Sequence, residues 1–208
     1  HPSELLINTG GQSRIRIKGN EHYYLFDFDS SAIVHWRLSK ATLHLKVANG
    51  CLRRIATCTV PMTWTEGTAS GKPQAGAPCF QYSQYPERAW DPHGGMMLDA
   101  TFNNPHMLWS ALDANTQKDG WIQVPVDPQL VAAVAAGLSH GLVIAEETGQ
   151  TRENHDIFTR EQSNAEPYLI VEGQPIDDIR PTPGRRPAPQ ATPCPAAASL
   201  TTGAVSVD

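Results

Sequence analysis

Two short motifs, Trp64-Thr65-Glu66-Gly67 and Thr159-Arg160-Glu161, place carboxylates and a guanidinium in an otherwise lightly charged chain. Together they could hold a polar ligand. An internal role is favoured, with Arg160 paired to a carboxylate to lock a corner and Trp64 filling the core. The stretch from Thr65 to about Asn104 is richer in rings and charges. It holds Tyr82, Tyr85, Arg88, Trp90 and His93, with Glu87 and Asp91 between them and Trp109 just beyond. Sugars offer C–H faces for aromatic stacking and hydroxyls for polar groups. Tyr82, Tyr85, Arg88, Trp90, His93 and Trp109 are therefore the candidate ligand contacts. The competing reading has these rings pinning a long loop to the domain.

A carboxylate-rich stretch, Glu146-Glu147, His155, Asp156 and Glu161, suggests oxygens for a structural calcium or an acid and base for glycoside hydrolysis. Neighbours on a strand point to opposite faces, so Glu146 and Glu147 are not expected to share a cleft. A solvated strand edge is the simpler account, and no catalytic pair is evident. His1 raises a copper brace, the N-terminal chelate of lytic polysaccharide monooxygenases, with a second ligand from His22, His35, His44, His93, His106, His140 or His155. Spacing singles out none of these, and copper at His1 is not expected. An opening His1 in place of Met leaves a removed secretion leader or a cloning boundary as alternatives. Cys51, Cys58, Cys79 and Cys194 form no C-x-x-C pair and no zinc-finger spacing. Cys194, between prolines, is expected to be free or bonded to a partner, and pairing among the other three stays open. Nucleophile-elbow, P-loop, dinucleotide and H-E-x-x-H motifs are absent.

The elements that must position these groups read as strands. Arg14–Lys18 and Leu43–Val47 alternate strictly, the period of a half-buried strand. Tyr23–Asp29 has strand-like aromatic richness and ends in Ser30-Ser31, and Leu52–Val60 is bounded by Pro61. Periodicity then lapses through the Gly- and Pro-rich stretch to Asn104, which reads as one long functional or disordered loop. Strand returns at Gly120–Val126. Asp127-Pro128 opens a short helix that Gly137 stops. Gly141–Ala145, Asp156–Arg160 and Pro167–Glu172 complete the strands. From residue 174 prolines recur, as in an extended linker. Many short strands and one short helix predict an all-β, jelly-roll-like antiparallel sandwich over 1–173, followed by a Pro/Ala-rich tail over 174–208.

The order of the pieces resembles the DNRLRE family, a jelly-roll family related to carbohydrate-binding modules. Its "YLxFDLS", "ATLxL", "WTEG", "GW", "GLxI", "SRE" and "PxLxVxG" segments are matched in order. They read here as Tyr24–Ser30, Ala41–Leu45, Trp64–Gly67, Gly120-Trp121, Gly141–Ile144, Thr159–Glu161 and Pro167–Gly173. The likeness runs from about Glu4 to Gly173. Thr159 stands where the family has Ser, and the loop between Gly67 and Gly120 is longer than in compact members. The resemblance implies a secreted or cell-surface module of a larger protein. Some relatives bind acidic polysaccharides such as alginate.

Composition narrows the classes further. The chain is 40% hydrophobic and 18% charged, a globular balance, and its net charge of −5 offers no basic field for nucleic acid. The Arg185-Arg186 pair in the tail does not change that. No segment reaches the roughly 20 apolar residues of a spanning helix, so membrane insertion is not expected. The leading expectation is a non-catalytic extracellular polysaccharide-binding module, without cofactor. The alternative is a structural or adhesive module of a surface or matrix assembly whose tail engages a neighbouring subunit.

Overall fold

The computed structural model describes residues 4–19, 21–91, 93, 95–147 and 154–176, and the backbone of 196–206. His1, Cys194 and the proline-rich run 177–195 lie outside the described residues.

Alternation builds β1 (Arg14–Ile17), whose isoleucines are buried and whose arginines are exposed. β2 (His22–Phe28) is buried on both faces, as a nearly continuous aromatic and aliphatic run requires. β3 (Trp36–Asn49) is far longer than its alternating centre at 43–47, and β4 (Arg54–Thr59) follows. The long loop is not wholly irregular. It holds a hairpin of β5 (Tyr82–Gln84) and β6 (Arg88–Ala89) and a single helical turn, α1 (Met97–Ala100).

Beyond the loop come β7 (Trp109–Asp113), β8 (Asn115–Thr116) and β9 (Trp121–Val126). Then α2 (Pro128–Ala135) starts where expected: the Asp127 carboxylate accepts from the Gln129 N–H at 2.9 Å, and Pro128 opens the first turn. Gly137, at φ +71°, ends it. β10 (Leu142–Glu146), β11 (His155–Phe158), β12 (Tyr168–Pro175) and β13 (Ala196–Ser206) complete the order.

Among the described residues every pairing is antiparallel; the main sheet follows the path β1-β11-β3-β12-β13-β2-β10-β4-β7, with β9 also paired to β3 and β8 to β9, while β5 and β6 form a separate two-stranded sheet. The path folds over on itself. One layer is β2, β10, β4 and β7; the other is β9, β3 and β12, with β11 and β1 at the far end of β3. Successive strands β1 to β4 alternate between layers, as do β9, β10 and β11. The result is the expected jelly-roll-like antiparallel β-sandwich.

Between the layers lies a core of Ile15, Ile17, Tyr24, Phe26, Leu43, Leu45, Ile55, Val124, Ile144 and Leu169, closed at one end by Leu130, Val131 and Val134 of α2. A second core sits outside the first layer. Tyr23 and Leu25 of β2, Cys58 of β4 and Val143 and Ala145 of β10 meet Phe80, Trp90, Met97 and Ala100 of the long loop there. Gly141 makes the entry to β10 possible. At φ +97° its Cα lies so near β2 that a Cβ would sit 2.5 Å from the Phe26 carbonyl.

The described part of the tail, Ala196–Ser206, is a strand of the sandwich rather than a spacer. β13 pairs with β12 through Ala196–Ser199 and with β2 through Leu200–Ser206, bridging the two layers along one side of the sandwich.

Candidate functional site

The first expected locus was the corner. Arg160 forms an ion pair with Glu66, whose side chain is only 11% exposed, and its Nε lies 3.2 Å from Glu161 Oε1. This ties the segment after β4 to the segment after β11. Thr159 supports the turn: its hydroxyl donates to the Gln12 carbonyl at 2.6 Å and accepts from the Glu161 N–H at 3.3 Å. Trp64 is half-buried against the second core, and its indole N–H donates to the His140 carbonyl at 2.6 Å. A residue with no signature in the sequence completes the corner. Asn8 is buried, donates from Nδ2 to the Pro78 carbonyl and accepts at Oδ1 from the Gly10 N–H. These contacts fasten the corner from the largely buried Glu66 and the buried Asn8 outward to Arg160 and Glu161, whose side chains are 40% and 42% exposed.

The second locus was the long loop, and its residues part company. Trp90 is 1% exposed and donates from Nε1 to the Cys79 carbonyl at 2.7 Å. Its faces are spent on the second core, so it offers no stacking surface. Tyr82 and Tyr85 are half-buried and meet edge to face, centroids 5.5 Å apart. Arg88 turns its guanidinium to the Thr63 hydroxyl at 3.0 Å. His93 is exposed in a turn, where its N–H donates to the Asp91 carboxylate. Trp109 is 52% exposed on the edge strand β7, paired with Cys58. Trp90 thus belongs to the cover over the second core and shares no surface with the other five candidates.

The carboxylate-rich stretch is also divided. Glu146 is buried at the end of β10, while Glu147 is exposed and accepts from Arg54 Nε at 2.8 Å. Asp156 faces Arg16 at 3.6 Å, and His155 accepts the Cys51 N–H on Nδ1. Among the described residues no three His, Cys, Asp or Glu side chains gather around a point that could hold a metal. Cys51, Cys58 and Cys79 are free thiols, the first exposed and the others buried.

The outer face of the β9-β3-β12 layer has a different character. Because Leu43, Leu45, Val124 and Leu169 point into the core, their neighbours along each strand point outward. Strand register sets these in rows. Tyr168, His44, Gln123 and Asn115 form one row, and Ile170, Thr42 and Pro125 the next. Glu172 lies opposite Lys40, and Trp121 opposite Lys46. The Tyr168 ring lies nearly parallel over His44, centroids 4.4 Å apart at 11°, and Trp121 leans against Tyr168 at 5.5 Å. Lys46 Nζ sits 5.9 Å from the Trp121 centroid, and Lys40 pairs with Glu172 at 2.8 Å.

Beside these rings runs a groove of about 240 Å³ lined by Lys40, Thr42, His44, Asn115, Gln123 and Glu172, among others. Burial beneath Tyr168 holds the His44 imidazole below its ordinary pKa, so it stays neutral and able both to donate and to accept. The face combines rings, amides, a hydroxyl and both charge signs along a track that crosses four strands.

No family model matches the chain, and neither a curated protein nor a solved structure matches it. What is established is the class, an all-β antiparallel sandwich. The likeness to the DNRLRE family rests on the order of its motifs alone.

Proposed function

We propose that this domain is a non-catalytic polysaccharide-binding module, and that its ligand lies across the outer face of β9, β3 and β12. The observation that carries the proposal is the Trp121–Tyr168–His44 cluster beside a polar groove. Tyr168 and Trp121 are half-buried rings held by strands, so little ordering entropy opposes their use as a platform. Gln123, Asn115 and Thr42 supply hydroxyl-directed hydrogen bonds, and Lys46 can meet a carboxylate of an acidic polymer. A face that runs over several strands suits a chain of sugar units better than a compact metabolite, which prefers an enclosing cavity. On this reading the domain works outside the cell as a module of a secreted or surface protein.

The test is native electrophoresis of the full chain through gels containing acidic or neutral polysaccharides. Retardation by one class, weakened about tenfold per ring in Trp121→Ala and Tyr168→Ala (the equivalent of ~1.4 kcal/mol) with folding intact, is expected. Equal mobility in every gel would refute the binding role.

A further inference from the structure

The two edges that β13 covers cannot be left open in water. β2 is buried on both faces from His22 to Leu25, and without β13 it would show a long, flat, hydrophobic edge with unpaired N–H and C=O groups. The adjoining edge of β12, Tyr168–Val171, would be bare as well. Seven register pairs on β2 and four on β12 define a seat for one extended strand. The sequence that fills it, Ala196–Ser206, carries no charge and no proline, so every residue can join the ladder.

The covalent route to this seat is far longer than it needs to be. Ala196 lies opposite Val171, and β12 runs on to Pro175. The distance from Pro175 back to Ala196 is four residues of strand and one strand spacing, about 14 Å. A two-residue turn closes antiparallel neighbours in ordinary hairpins. Here the twenty residues 176–195 intervene, with a maximum contour of about 70 Å. Connectivity therefore does not oblige β13 to sit in its own domain.

We propose that the seat between β2 and β12 takes β13 from a second copy of this chain, so that modules are joined by strand exchange. The exchanged strand makes the same ladder contacts in either copy, so no new interface has to be built. What favours the strand's own domain is effective concentration alone, which for a tethered segment of this length is of millimolar order. Crowding copies together on a surface or in a matrix reaches that range. The inference does not depend on the polysaccharide reading.

The experiment uses full-length chains in which Cys51 and Cys194 are replaced by Ser. One chain carries Ile170→Cys and a mass-labelled second chain carries Ala197→Cys, positions that face each other in the ladder. Facing Cα atoms of an antiparallel pair are about 4.5–5.5 Å apart, within disulfide range. The chains are unfolded, mixed, refolded at concentrations from about 1 µM to about 1 mM, bracketing the effective concentration, and oxidised. Exchange predicts mixed covalent dimers, above the homodimers that either variant forms alone, with a yield that rises with concentration. The double variant refolded dilute provides the reference, because it closes the bond within one chain. Intrachain closure without mixed dimers at any concentration overturns the proposal, and so does the absence of both bonds. Light scattering on the unsubstituted chain refolded at the same concentrations gives an independent reading. Growth in mass with concentration supports exchange, and a strict monomer throughout contradicts it.

Discussion

Removing Trp90 separates a loop that binds from a loop that covers. The side chain is 1% exposed, packs with Tyr23, Phe80 and Met97, and donates to the Cys79 carbonyl at 2.7 Å. Trp→Ala at a fully buried site costs about 3–5 kcal/mol, because the cavity is only partly refilled. Losing the indole N–H adds on the order of 1 kcal/mol for the carbonyl left without a donor. For a chain of this size each kcal/mol lowers Tm by about 2–4 °C, so Trp90→Ala should melt about 8–24 °C lower. Trp90→Phe keeps most of the ring and forfeits the donor, and about a third of that loss is expected.

The assay is thermal unfolding followed by near-ultraviolet circular dichroism, with limited proteolysis of 61–108 and gel retardation below the transition. Trp90→Ala should lower Tm, hasten cleavage of the loop and leave polysaccharide retention unchanged. If it instead leaves Tm within about 2 °C, leaves protease resistance intact and abolishes retention, the burial argument fails. The loop would then be the binding surface.

Two further outcomes can be checked on the same material. His44 has a folded pKa lowered by burial, so below the unfolded imidazole value of about 6.5 the unfolded chain binds more protons and unfolding is favoured. Its share of stability is complete above that pH and is lost as pH falls through the folded pKa. Urea titrations of His44→Asn should therefore show a flatter loss of stability below about pH 6.5 than the unsubstituted chain, and equal slopes would contradict the burial of His44. Burial pushes the Cys58 thiol up to about 12 and raises that of Cys79, while Cys51 is exposed. A thiol reagent at pH 8 should mark Cys51 at once and Cys58 and Cys79 only on unfolding. Mass spectrometry of peptides reads this directly, and rapid marking of Cys58 in the native chain would mean that the second core is open.

Strands were legible wherever one face is wet and the other dry. β1, β9 and the centre of β3 alternate because they lie on the surface of the sandwich. The first part of β3, Trp36–Lys40, alternates only over Trp36-Arg37-Leu38-Ser39, too short a run to stand out. It pairs only with the end of β12, and most of its residues see solvent. β7 was missed for a related reason: as an edge strand it buries no residue fully. The loop between Thr65 and Asn104 showed no period because its buried residues, Phe80, Trp90 and Met97, come from separate turns rather than from one regular element. β13 was hidden by composition, since Ala, Ser, Thr and Gly give no apolar alternation to read.

The sequence by itself determined the strand periods, the cap and stop of α2, the charge balance and that Arg160 would pair with a carboxylate; that Glu66 is the partner came from the tertiary structure. Alternation also puts His44, Lys46, Trp121 and Gln123 away from the buried side of their own strands, because side-chain direction along a strand is a local property with a period of two, whereas the apolar run Tyr168–Val171 shows its outer face only in the structure. Only the tertiary structure decided that β12, β3 and β9 are neighbours, which turns three separate half-exposed strands into one face with stacked rings. It likewise decided that Trp90 faces inward and that residues 196–206 cross from one layer to the other. Strand partners are chosen by the burial and hydrogen bonds summed over the whole sheet. Residues more than a hundred positions apart, such as His44 and Tyr168, carry no mark of each other until that sum has been made.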